Sequence, residues 1–304
     1  MKIQSLSVVV PNPACINSCP FCVSRMNADT TYKNQMNDNL PFFDLYLKDY
    51  IKRLEFARDN GCNTVMLTGN TEPQQNRKFL TYFGMFMQLM KNPFHWIEMQ
   101  TTGVLLDQNY LRFLRNHVGV NLISLSLSAL DSKVNGDIIS SNAPMPDIPF
   151  LCNEIKRYDF SLRLSLNLTD YYDKEYVRAG DSPDEQIAGV GRIFEDCRKL
   201  GADQVTIRIL YSSDTGTPQD EWIKEHAASE NVVHLIESYV KANGIVLGVL
   251  PHGAVKYSLD GLCVVIDEDC MDKSEKTGED YKYLVLQPDC KLYSQWDDKS
   301  SLIF

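Results

Sequence analysis

Apolar residues recur along this chain with two different periods. Short Val-, Ile- and Leu-rich runs predict strands at Leu6–Val10, Thr64–Thr68, Trp96–Thr102, Leu122–Ser128, Leu162–Leu168 and Gln204–Leu210. Between them, helical spacing predicts helices over Phe42–Asn60, Asn76–Lys91, Asp107–His117, Asp147–Tyr158 and Pro183–Leu200. Pro41 before the first of these and Gly61 after it are start and stop signals, and Gly201 closes the last. Strand and helix alternating in this way predict a parallel sheet with helical crossovers. Beyond Leu210 a long helix is predicted over much of Asp220–Asn243, followed by a strand at Ile245–Leu250. The runs "LCVVI" and "YLVLQPDCKLY" read as further strands, the second as a hairpin turning at Pro-Asp. Lys273–Asp280 reads as a loop, and no internal repeat, low-complexity tract or linker interrupts the chain.

The two faces of the strands differ, and this changes the picture. Strands covered by helices on both sides are usually apolar throughout. In "LSLSLS", however, Ser124, Ser126 and Ser128 share one face. Arg163, Ser165 and Asn167 share a face of the fifth strand, Thr206 and Arg208 of the sixth, and Glu98, Gln100 and Thr102 of the third. An antiparallel sheet with one wetted face gives the same alternation, but the intervening helices argue for a barrel-like sheet. Its inside is polar because it encloses a ligand cavity, unlike the packed apolar interior of a closed eight-stranded barrel.

Composition adds exclusions. The chain has 304 residues, 44% hydrophobic and 23% charged, with a formal net charge of −10. That charge, with no Lys/Arg stripe, argues against a nucleic-acid partner. No apolar run reaches the length of a membrane span, and the N-terminal apolar stretch is too short for a signal peptide. A cytoplasmic protein is expected, in which nine cysteines serve as thiols, metal ligands or small buried hydrophobes rather than as a disulfide frame.

Three of those cysteines, Cys15, Cys19 and Cys22, crowd into "ACINSCPFC" directly after the first strand. A structural zinc takes four ligands, and no His lies nearby, His95 being the nearest. A four-iron cube held by three thiolates keeps one iron open, and open coordination positions are how metal sites perform chemistry. A zinc knuckle, or three unrelated cysteines in a buried turn, are the competing readings.

"CINSCPFC" resembles the CxxxCxxC signature of radical S-adenosylmethionine (SAM) enzymes, including the aromatic Phe21 before the third cysteine. The resemblance implies a partial (β/α)6 TIM-like barrel with a C-terminal α/β extension, divided here into residues 1–211 and 212–304. It implies a [4Fe-4S] cluster on Cys15, Cys19 and Cys22, with the open iron chelated by SAM. SAM is then cleaved by one electron to a 5′-deoxyadenosyl radical that abstracts hydrogen from substrate. "LTGNTEP" is similar to the family's Gly-Gly-Glu-Pro element, pointing to Gly69 and to Glu72 for the SAM amino group, with Asn70 and Thr71 in place of glycines. "QTTG" points to Thr102, "SLSALD" to Ser126 near the SAM carboxylate, "LSLNLTD" to Asn167, and "TIRIL" to Arg208 with Ile209 and Leu210 beside the adenine. These elements fall, in order, on the faces already assigned to the cavity.

The pattern is nearest to the branch containing the molybdenum-cofactor enzyme that rearranges GTP and the peptide-modifying maturases. Members of that branch carry auxiliary clusters, so Cys263, Cys270 and Cys290 are candidates for a second one. Cys290 stands where the extension's hairpin turn has Gly, which leaves a hydrogen-atom donor or an ordinary turn residue as alternatives. Cys62, Cys152 and Cys197 read as buried apolar residues. Asp29 to Asn39 is a candidate lid, and His252, Asp131 and Tyr211 are candidate substrate contacts. The resemblance implies a peptide, nucleotide or other small-molecule substrate and a reducing partner such as flavodoxin or ferredoxin. An activase that installs a glycyl radical on a partner protein, and an iron–sulfur or zinc scaffold without turnover, are the other functional readings.

Overall fold

The computed structural model describes residues 2–26, 43–250, 254–267, 276–277, 280–296 and 298–304. The six predicted strands form as β1 (Lys2–Val9), β2 (Thr64–Thr68), β3 (Trp96–Thr101), β4 (Leu122–Leu127), β5 (Ser161–Asn167) and β6 (Gln204–Arg208). They lie side by side in chain order and all run parallel. The helices are α1 (Val23–Met26), α2 (Phe43–Asp59), α3 (Arg77–Leu89), α4 (Gln108–Phe113), α5 (Ser132–Ile139), α6 (Ile148–Arg157), α7 (Tyr171–Glu175), α8 (Pro183–Lys199), α9 (Pro218–His226) and α10 (Glu230–Asn243).

Local chemistry sets many of the helix ends. Asn76 caps α3 by accepting from the Phe79 N–H at 2.9 Å, and Asp147 caps α6 through Phe150 N–H, also at 2.9 Å. Ser182 and Glu185 form a capping box at α8, with Pro183 at its first position. The core lies between the sheet's outer face and the helices. Leu6 and Val8 of β1, Val65 and Leu67 of β2, and Leu162, Leu164 and Leu166 of β5 are all buried there, against side chains such as Phe79, Phe83 and Phe194.

Two helices differ from the sequence expectation. The helix predicted over Asp107–His117 continues beyond α4 as a π-helical turn, Leu114–Val118. The helix expected across Asp220–Asn243 is two, α9 and α10, because Ala227 turns into the β region and bridges Thr169 at the end of β5. Asp170 N–H donates to the His226 carbonyl at 2.8 Å and Ala228 N–H to the Leu168 carbonyl at 3.1 Å, so the break is tied to the barrel. The tail strands β7 (Ile245–Val249), β8 (Val255–Leu259), β9 (Leu262–Asp267), β10 (Lys276–Thr277), β11 (Asp280–Leu286) and β12 (Leu292–Tyr293) join the same sheet.

β9 pairs parallel with β6, and β11 pairs parallel with β1. The parallel run therefore reads β11-β1-β2-β3-β4-β5-β6-β9, with β8 and β7 added antiparallel on one side and β10 and β12 on the other. Residues 212–304 thus extend the partial barrel at both edges. The expected hairpin of β11 and β12 forms, turning through Cys290 in a left-handed conformation (φ 63°).

Candidate active site

The polar strand faces enclose a cavity of about 540 Å³, lined among others by Ser7, Met66, Gln100, Arg163, Thr206 and Arg208. That volume suits a cofactor or a small ligand. A larger depression of about 660 Å³ lies along α5 between Ser132 and Asp147, and no strand side chain reaches it. Parallel strands bring their C-terminal ends to one mouth, so the cysteine loop after β1, the loop after β2 and the ends of β3 to β6 meet there.

An ionic network sits inside the cavity, on the inner faces of β3, β5 and β6. Arg163 Nη1 lies 2.6 Å from Glu98 Oε2, and its Nε and Nη2 donate to Gln204 Oε1 at 3.0 and 2.8 Å. Gln100 Nε2 donates to the other Glu98 oxygen at 3.1 Å. Glu98 is only 3% exposed, and these contacts satisfy its charge. Nearer the mouth two buried polar atoms have no hydrogen-bond partner, Ser165 Oγ and Arg208 Nε. Unpaired buried polar atoms facing a cavity are what a bound ligand satisfies.

The cysteine loop is held in place by side chains from four directions. Gln75 accepts from the Ile16 N–H at 2.9 Å and donates to the Ala14 carbonyl at 3.0 Å. Asn17 donates to Thr102 Oγ1 at 2.9 Å, while its own Oδ1 is buried without a partner. Arg25 donates to the Asn17 carbonyl at 2.9 Å, and Ser24 Oγ to the Asn70 carbonyl at 2.9 Å. Cys15, Cys19 and Cys22 are each half-buried. Burial raises the Cys15 thiol, and burial together with the neighbouring thiols pushes Cys19 up to about 12.

The donor set fits a cluster better than a single ion. Among the described residues no three His, Cys, Asp or Glu side chains gather closely enough to hold one metal ion. A cubane takes each thiolate on a different iron, so its ligands need not converge on a point.

Glu72 is enclosed by hydrogen-bond donors beside the cavity. It is 3% exposed and does not line the cavity. Its Oε1 accepts from Thr101 Oγ1 at 2.7 Å and Gln74 N–H at 3.5 Å; its Oε2 accepts from Thr102 N–H at 3.0 Å and Thr102 Oγ1 at 2.9 Å. Burial raises its carboxyl, opposed by the hydrogen bonds from Thr101, Thr102 and Gln74. Glu72 therefore ties the β2 loop to the end of β3. What that loop presents to the cavity is Gly69 and Asn70. A Cβ on Gly69 would stand a tight 3.1 Å from the Val10 carbonyl oxygen, so glycine eases this close approach of β2 to β1. Thr71 Oγ1 is taken by Asn12, which donates to it at 2.9 Å.

The other predicted residues separate into two groups. Ser126, Asn167 and Arg208 fall on inner strand faces, with Thr102 and Leu210 just beyond strand ends, and all five are half-buried. Asn167 donates to Ser128 Oγ at a long 3.5 Å. Phe21 turns to Trp222 of α9, ring centroids 5.6 Å apart, so the C-terminal part of the chain packs on the cysteine loop. Asp131 is spent on capping α5, accepting from Val134 N–H at 2.8 Å. His252, Cys270 and the Asp29–Asn39 segment lie outside the described residues. Cys263 lines the cavity, whereas Cys290 is buried in the outer core, where Asp49 and Arg53 of α2 influence its thiol. These two therefore stand on opposite faces of the sheet. Cys62, Cys152 and Cys197 are buried apolar-type residues, as expected.

Sequence reasoning missed Lys256, whose side-chain face on β8 is that of Cys263 and Val265, and Trp222. The first was readable in "VKYSL", where Lys256 and Ser258 alternate with Tyr257 and Leu259. The second was not, since its partner lies some two hundred residues away.

No family model matches the chain, and no curated protein matches it. Among solved structures, Streptococcus suis SuiB bound to the precursor peptide SuiA is 14% identical, with a TM-score of 0.56, over 96% of this chain and 59% of that one. SuiB bound to S-adenosylmethionine gives the same identity and TM-score over 96% and 60%. HemN, the Escherichia coli coproporphyrinogen III oxidase described as a radical SAM enzyme, is 14% identical with a TM-score of 0.53, over 82% and 55%. The chain spans about 60% of the length of the SuiB chain. It has the partial-barrel fold of SuiB and of the radical SAM enzyme HemN.

Proposed function

We propose that this chain is a radical SAM enzyme. The observation that carries the reading is the loop of Cys15, Cys19 and Cys22 running directly into Val23 and Ser24, which line a polar cavity together with Gly69, Asn70 and Arg208; Ser126 and Asn167 lie on neighbouring strands of the same wall. The three thiolates would hold a [4Fe-4S] cluster and leave one iron for SAM. When bound, this pair supplies one-electron cleavage of SAM and a carbon radical able to abstract hydrogen.

The chain's own residues position and shield that chemistry. The backbone of Gly69 and Asn70 offers acceptors towards the SAM ammonium, with Glu72 holding their loop in place. Arg208, unpaired at Nε, is suited to the SAM carboxylate, and Ser126 and Asn167 offer hydrogen bonds beside it. Leu210 and Thr102 border the mouth. Phe21 and Trp222 cover the cysteine loop with aromatic surface and restrict water there. The reduced form requires an electron donor, for which a flavodoxin or ferredoxin is suited. The likeness to SuiB, seen with a precursor peptide, supports a peptide among the possible substrates.

Iron and acid-labile sulfide per chain after anaerobic reconstitution test the reading. About four of each are expected, and about seven or eight would mean a second cluster. Cys19→Ala should abolish both iron binding and SAM cleavage. A wild-type chain that takes up no iron would sink the proposal.

A further inference from the structure

Lys256 carries a charge that nothing among the described residues answers. Its strand, β8, has Tyr257 and Leu259 buried in the outer core, so Lys256 projects from the opposite, cavity-lining face. Among the described residues it forms no hydrogen bond or ion pair. The register places it opposite Val265 of β9, which pairs with Thr206 of β6, which in turn pairs with Ser165 of β5. Lys256, Thr206 and Ser165 therefore stand in one row around the wall. At the strand spacing of about 4.8 Å, the Lys256 and Thr206 backbones are about 10 Å apart, within the span of a lysine side chain and one small anion.

The row points to a ligand by independent signs. Ser165 is 2% exposed and its hydroxyl has no partner, on the strand face that Arg163 presents to the cavity. Asp267 stands beside Arg208 in register, and the acid that lines the cavity, Glu98, is already matched by Arg163. With Glu98 matched by Arg163, Lys256 leaves one unanswered positive charge among the described residues of the cavity wall, which attracts anions.

We infer that the substrate carries a carboxylate or phosphate, which Lys256 binds with hydroxyl support from Thr206. This rests on reading the cavity as the substrate pocket of a radical SAM enzyme. The anion is assigned to the substrate and not to SAM because β8 lies two strands beyond β6, whose Arg208 is the residue suited to the SAM carboxylate.

The test titrates inorganic phosphate and, separately, acetate into the cluster-loaded chain by calorimetry, with SAM titrated in parallel. One of the two anions should bind with a dissociation constant of order millimolar, identifying the source of the charge. Lys256→Gln should weaken that binding about tenfold and leave SAM affinity unchanged, and Lys256→Arg should restore it. Equal anion binding by wild type and Lys256→Gln, or none by the wild type, would overturn the inference. Loss of SAM affinity in Lys256→Gln would also overturn it, by giving the lysine to the cofactor. A wild type that binds the anion but not SAM would instead overturn the enzyme reading and leave the anion site standing.

Discussion

Glu72 is a carboxylate held by the backbone and hydroxyls of two neighbouring segments. Four donors from Thr101, Thr102 and Gln74 surround it, and removing it leaves them buried and unpaired. Glu72→Ala should therefore destabilise the fold by about 3 kcal/mol, measured as a shift of the urea midpoint at constant slope. A large loss of SAM affinity at unchanged stability would make Glu72 a ligand instead of a brace. The pair of Glu98 and Arg163 behaves alike on the cavity side. Because Arg163 is 25% exposed at its side chain, Glu98→Ala should cost about 2 kcal/mol, less than a fully buried pair would. The double variant Glu98→Gln with Arg163→Met should recover part of that loss. The spacing of the cysteines was legible in sequence because it is local. The partners of Glu72 were not, because Thr101 and Thr102 reach it only when β3 pairs with β2.

At the scale of elements, α9 is the informative one. Asp220 closes its first turn, accepting from Ser213 N–H at 2.7 Å, Thr217 N–H at 2.9 Å, and the hydroxyls of Ser212, Ser213 and Thr217. Burial alone would raise its carboxyl, but the hydrogen bonds from Thr217 and Ser213 outweigh this and hold it well below the usual aspartate range. A depressed value in the folded state means that the stabilisation is full above the unfolded value of 3.8 and is lost as pH falls below it. Hydrogen exchange of the Pro218–His226 amides should accelerate as pH drops through that range, beyond the intrinsic pH effect, and Asp220→Asn should show raised exchange already at neutral pH. Unchanged protection in Asp220→Asn would refute the cap's role. Since Trp222 lies on this helix against Phe21, fraying there should also loosen the cysteine loop. The sequence pattern joined α9 and α10 into one helix. The periodicity is indeed nearly continuous, and the break comes from the Ala227–Thr169 bridge, a contact no local rule can see.

At the scale of the molecule, parallel strands with polar inner faces create the cavity, and the order of those strands decides what surrounds it. The sequence determined the six core strands and the face each turns inward, because alternation of apolar and polar residues survives in one dimension. It also determined the crowding of three thiols after β1, since neighbours in sequence cannot be far apart in space. Tertiary structure alone decided that β9 and β11 would flank the six, because strand partners come from distant segments and compete on packing and hydrogen bonding rather than on local propensity. That choice brings Lys256 to the cavity wall, separates Cys263 from Cys290, and lays Trp222 over the cysteine loop. Each of these depends on through-space distance, which a pattern along the chain does not encode.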